Sequence, residues 1–374
     1  NIAAVVASTG ITKPLNFGVT ASDAMTLAQL AAVDAKTTGT LTYTALSDTA
    51  ANFASTAGVA TARATLYETA GKNVTVTDTM GAVGATIAQM VKIDALNGGG
   101  TLTFTALTDT AAHFATAAGV QTDASNGYLT AGKNVTVTDA ATIAQLTTID
   151  SLNGGGRLAY TALTDTASNL YDNAGGYLFS GKNVTVTDAA SIMQLTYIDS
   201  ANGAGTLTYS GLTDELANLQ SDAATHAGAG TYVKAGHALT VTDAASIAAL
   251  TALDAKNGTA ALTADIVADT LAKLTANTTY VKAGKTVEVT DTATIAQLTA
   301  LDAKANVGTV RADDITDTAA HLVTNAAAAG AANYVGSCID TLTVSDAATL
   351  AQLATISGVF DGNTLAYSTI RDTA

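Results

Sequence analysis

Two rhythms of apolar residues alternate along this chain. In "NVTVTD", residues 134–139, Val135 and Val137 point one way and Thr136 and Thr138 the other. A period of two built on β-branched residues predicts a half-buried strand. "TLTFTALTD", residues 101–109, continues the rule, with Leu102 and Phe104 inward and Thr103 and Thr105 outward. The rhythm then changes. After Asp139 come Ile143, Leu146 and Ile149 at helical spacing, with Ala140 and Ala144 filling between them. Asn-Gly runs follow, as at 97–100 and 153–156, and predict helix stops.

The alternation recurs along almost the whole chain. One column of Asp ends the Val-Thr-Val strands: Asp78, Asp139, Asp188, Asp243, Asp291 and Asp346, with Asp23 as first member. A second column lies between them: Asp48, Asp109, Asp165, Asp214, Asp269, Asp317 and Asp372. The offset from first to second column is 25, then 31, then 26 five times. The long offset has a visible cause, since "DTMGAVGATIAQM" carries five residues more than "DAATIAQL". Each column Asp is expected to cap the helix that follows it, its carboxylate accepting from first-turn N–H groups. Eleven residues before several first-column Asp sits a Tyr (Tyr128, Tyr177, Tyr232, Tyr280), expected in a short extra strand or packed loop that seals the core.

A strand–helix–strand–helix series with short links predicts parallel strands and right-handed crossovers. Strands that keep one Thr-rich face predict helices mainly on one face, since a doubly wound sheet would bury both. The fold expected is therefore an α/β solenoid of seven double repeats, leucine-rich-repeat-like in architecture. Residues 1–16 are apolar and off-pattern, and predict an N-terminal cap or docking segment. Residues 17–374 form the repeat region. It stops at "IRDTA", where a helix should begin, so the stack is expected to continue into further chain or a second copy.

Composition narrows the function. There are 31 Asp+Glu against 16 Lys+Arg, a net charge of −15, which gives no basic footprint for nucleic acid or an anionic membrane. One cysteine, Cys338, allows neither an internal disulfide nor a cysteine metal site. The longest uncharged stretch, near 318–339, is Ala-rich and broken by Asn, Gly and Ser, so no membrane span is expected. The chain opens "NIAAVVASTG" without a basic start. A leader would therefore have been removed already, or export would use a C-terminal signal.

Candidate chemistry is sparse, and no catalytic residues are identified. Asp150, Asp199, Asp254 and Asp302, with Asp34 and Asp94, form a third carboxylate column that offers weak Ca²⁺ candidates. No G-G-x-G-x-D nonapeptide accompanies them, and otherwise no cofactor is expected. Thr75 and Thr77, Thr136 and Thr138, and Thr185 and Thr187 would stack as an exposed ladder, interrupted by Glu288 and Arg311. Such a face suits a ligand surface, ice included, or reflects the preference of Thr for exposed strands. His113 and His321 share a repeat position held elsewhere by Asn52, Asn169 or Lys273, which reads as an exposed polar slot. His226 falls in a linker and His237 at a strand start. The 97–100 and 153–156 glycine runs follow helices and precede strands, the reverse of a phosphate loop. The insertion at 80–84 holds no acidic or basic cluster. Cys338 stands in the turn that elsewhere reads Gly-Lys, and is expected to be a free thiol.

"NVTVTDAATIAQLTTIDSLNG" and "LAYTALTDTASNL" resemble the tandem-repeat regions of very large secreted surface proteins of bacteria, particularly cyanobacteria. The likeness covers roughly residues 19–374. It implies repeats that build cell-surface layers, filaments or adhesins, often exported by a type I route. The expectation is a non-enzymatic, secreted structural protein that self-associates. The alternative is an adhesin that meets cell-surface glycans through the Thr face.

Overall fold

The structure, a computed structural model, describes residues 2–11, 15–81, 84–125, 127–224, 232–305 and 308–372. Their contacts divide into two units, 1–185 with 201–208, and 186–200 with 209–374. Each is described by itself.

In the first unit every strand pair whose register is resolved is parallel. Val19–Ala21 pairs with Leu41–Tyr43. Asn73–Val76 lies between Ala45–Asp48 and Leu102–Thr103. Asn134–Val137 lies between Ala106–Asp109 and Leu158–Ala159. The segment 102–109, expected as one strand, is two short strands with Phe104 and Thr105 between them. Its front half pairs with the preceding strand and its rear half with the following one. This split lets a short unit reach both neighbours.

The second unit holds a seven-stranded sheet of Gly211–Asp214, Ala238–Ala245, Leu262–Asp269, Thr286–Val289, Thr309–Asp317, Cys338–Val344 and Thr364–Tyr367. Its strands lie in chain order, and all neighbours are parallel. Here the long strands run unbroken and absorb the same offset as register shifts at Val241/Ala244 and Ala312/Asp314. The described chain is thus an α/β fold with parallel sheets.

The core follows the two rhythms. Val135 and Val137 are buried, as are Leu146 and Ile149 on the helix Ile143–Asn153. Each such side chain contributes about 1.5–3 kcal/mol of burial. The second helix of each pair is shorter. Ala50–Phe53 and Ala111–Phe114 are single turns, each ending on a fully buried Phe. Tyr128, Tyr177, Tyr232 and Tyr280 lie in loops rather than strands, with Tyr177 and Tyr232 buried, and the linker before Tyr67 and Tyr128 is not plain loop. It holds the helix Ala62–Tyr67, and in the next repeat a 3₁₀ turn at Asp123–Ser125. Near the N-terminus, Ile2–Ala7 is helical, and Leu15 already makes a parallel bridge to Thr37, inside the expected cap.

Candidate functional site: the carboxylate columns

Recurring polar groups form the site, and several of them bond a neighbouring half-unit. Helix N-termini come first. Thr86 and Thr142 are N-caps with Gln89 and Gln145 three residues on, and both bonds of the capping box are made. Thr26 with Gln29 and Thr349 with Gln352 do the same. The T-x-x-Q spacing was readable in the sequence.

On the helices after Asp23, Asp78, Asp139, Asp243 and Asp346 a Thr or Ser side chain makes the N-cap bond, and the column Asp does not. It reaches back to the first N–H of the preceding helix. Asp109 accepts from Ile87 N at 2.9 Å, Asp139 from Ala111 N at 2.7 Å, and Asp165 from Ile143 N at 2.9 Å. Asp48 and Asp78 accept from Leu27 N at 3.0 Å and Ala50 N at 2.6 Å. In the second unit, Asp214, Asp243, Asp291, Asp317 and Asp346 accept from Ile192, Leu216, Leu271, Ile295 and Ala319. Asp188 follows the strand Asn183–Val186 in the equivalent place. Asp269 joins the set through Ile247 N at 3.3 Å. The expectation of capping is corrected in direction: each carboxylate ties one half-unit to the one before it.

The second column has a further role. Its other oxygen accepts from the next backbone N–H and from the side chain four residues on. Asp109 takes Thr110 N and His113 Nδ1, Asp165 takes Thr166 N and Asn169 Nδ2, and Asp317 takes Thr318 N and His321 Nδ1 at 2.7 Å. Asn52, Asn218 and Lys273 fill the slot elsewhere. The shared slot of His113 and His321 is therefore a donor position. Burial pushes the Asp269 carboxyl up, but Lys273 and the backbone donors outweigh it and hold it below its ordinary value.

The third column meets the Tyr column. Tyr67 donates to Asp34 at 3.0 Å, Tyr128 to Asp94 at 3.1 Å, and Tyr177 to Asp150 at 3.3 Å. Tyr232, Tyr280 and Tyr334 donate to Asp199, Asp254 and Asp302 at 3.2, 3.4 and 3.2 Å. Burial, then the neighbouring carboxylate, raises these hydroxyls, Tyr128 to about 12. Asp150, Asp199, Asp254 and Asp302 thus each hold a phenol. Among the described residues no three His, Cys, Asp or Glu side chains converge to hold a metal ion.

A cation column was missed. Lys72, Lys133 and Lys182 sit over the rings of Tyr43, Phe104 and Tyr160 at 4.4, 4.1 and 4.0 Å. Each Nζ also donates to the carbonyl of that aromatic residue. "GKN" recurs in the sequence, but the ring lies 29, 29 and 22 residues earlier, at no fixed spacing. His237 takes this place in its repeat, stacked on Tyr209 at 4.3 Å, with its pKa lowered by burial and by Lys234.

The Thr face is less regular than expected. Thr75, Thr77, Thr138, Thr185 and Thr187 are exposed, and Thr136 is half-buried. Thr75, Thr136 and Thr185 lie in paired strands, whereas Thr77, Thr138 and Thr187 lie just past them. In the described part of the insertion, Gly81 O accepts from Thr108 Oγ1 at 2.9 Å. Glu288 and Arg311 are direct cross-strand partners. Cys338 is buried and free, its thiol pushed up to about 11 by burial. Residues 82–83 of the insertion, His226, residues 1 and 12–14 of the N-terminal segment, and residues 373–374 lie outside the described residues.

No family model, curated protein or solved structure matches the chain. Among the described residues no helix is long and apolar enough to cross a membrane.

Proposed function

We propose that the chain is a secreted, non-enzymatic structural protein. Its seven double repeats stack as an α/β solenoid that builds a filament, sheath or surface layer by self-association. One observation carries this reading. The recurring buried carboxylates bond the preceding half-unit, and the recurring phenols bond the preceding repeat. A half-unit's polar groups are therefore satisfied by its neighbour, and a second copy supplies the same groups as a further repeat. Among the described residues the recurring polar clusters tie neighbouring half-units together by hydrogen bonds.

The exposed Thr75, Thr77, Thr138, Thr185 and Thr187 favour a second reading, an adhesin that binds cell-surface glycans. Negative-stain microscopy and sedimentation velocity over a hundredfold concentration range separate the two. A scaffold forms filaments or sheets without ligand. Compact monomers at every concentration, with retention on a glycan array, would replace it by the adhesin. The same grids with calcium and with a chelator decide whether Ca²⁺ takes part.

A further inference from the structure

Six repeats place one side chain directly after the column Tyr, and that side chain is buried. Five of these are apolar: Leu129, Leu178, Val233, Val281 and Val335, at most 5% exposed. The sixth is Glu68, at 2%. Both its carboxyl oxygens are buried without a hydrogen-bond partner among the described residues. An isolated carboxylate in such a place is strongly disfavoured, so the group is held as the neutral acid.

Most charged and titratable groups near it bond elsewhere. On its own helix, Ala62–Tyr67, Tyr67 donates to Asp34 of the helix Leu27–Asp34, and Arg63 is exposed. Lys72, which follows, is bonded to Tyr43 O. On the helix Ile87–Asn97, Asp94 is held by Tyr128, and Lys92 is the one charge among the described residues that acts on Glu68. Burial outweighs Lys92 and pushes the Glu68 carboxyl up to about 8 from 4.5.

We propose that Glu68 is a pH-operated latch in this repeat. As the neutral acid it fills the apolar column and holds segment 67–76 against the core. As the carboxylate it leaves the core, and the segment opens.

The sign follows from linkage. Between about pH 4.5 and 8 the folded segment keeps a proton that the open segment has lost. Its stability is complete below that window, falls about tenfold in closed-to-open ratio per pH unit through it, and levels above it. A buried ion pair with Lys92 would give the opposite slope, with stability lost on acidification.

The experiment is hydrogen exchange with mass spectrometry on the full chain from pH 5 to 9, corrected for intrinsic exchange. Segment 67–76 is compared with its equivalent, 128–137, in the parent protein, Glu68→Leu and Glu68→Gln. The expected result is a protection ratio that falls about tenfold per pH unit in the parent and is flat in both variants. A flat or rising ratio in the parent, or the parent's slope retained in Glu68→Gln, would overturn the proposal. Glu68→Gln keeps the side-chain shape, so the test stands even if Glu68→Leu does not fold.

Discussion

Asp109 accepts from three donors in two consecutive half-units, and is only 7% exposed. Replacing it strands the buried N–H of Ile87 as well as local partners. Asp109→Ala should cost about 2–3 kcal/mol. Asp139 is exposed and bonds Ala111 N, so Asp139→Ala should cost about 1 kcal/mol, like the loss of an N-cap. Urea unfolding midpoints with their slopes measure the difference. Equal costs would mean that the burial of Asp109 and its two further donors, Thr110 N and His113 Nδ1, add nothing. The Asp columns were legible in the sequence because they repeat, but their direction was not. A residue that caps its own helix and one that caps the preceding helix recur with the same period. The deciding signal was the Thr-x-x-Gln box at 26–29, 86–89, 142–145, 294–297 and 349–352, after five of the seven first-column Asp, which already fills the N-cap.

At the scale of the element, the turns show where pattern reading succeeds and where it stops. The run 153–156 was legible as a helix stop, and Gly154, at φ +56°, is the C-cap of Ile143–Asn153. The reason for the last glycine was not legible. A Cβ on Gly156 would lie 2.0 Å from Lys133 O, a backbone atom of the adjoining turn. The equivalents Gly100 and Gly205 meet Lys72 O and Lys182 O at 2.0 and 1.9 Å. Gly155 has open space around its position. Gly156→Ala should therefore destabilise by about 2 kcal/mol or more through backbone displacement. Gly155→Ala should be neutral or stabilise by about 0.5 kcal/mol. Thermal melts of the two variants check this, and equal effects would remove the close approach as the cause. The strand break at Phe104 and Thr105 has the same origin. Alternation predicted one strand, and only pairing to two neighbours at different registers divides it.

At the scale of the molecule, stability is expected to be a sum of units and the bonds between neighbours. Strand–Asp–helix order and parallel pairing followed from periodicity, because each rhythm reports one element. The cation column of Lys72, Lys133 and Lys182 did not, since a ring and an ammonium that meet only after folding leave no local pattern. If neighbour bonds carry the order, what matters is that each half-unit meets the right kind of neighbour. Deleting residues 134–182 removes one period of 49 residues and joins Lys133 to Asn183. The new strand again reads "NVTVTD" and brings Val184, Val186 and Asp188 to the places of Val135, Val137 and Asp139. Deleting 134–157 instead sets Leu158 after Lys133, so two second-type halves adjoin. Ala106–Asp109 then loses its partner Asn134–Val137, and Ala111 N loses Asp139. The whole-period deletion should stay folded and melt within roughly 5 °C of the parent. The half-period deletion should lose cooperativity, and its exchange protection should fall first on both sides of the junction. Circular dichroism melts with hydrogen exchange read both results. If the two deletions behaved alike, the alternation of half-units would be a habit of the sequence and not the source of its order.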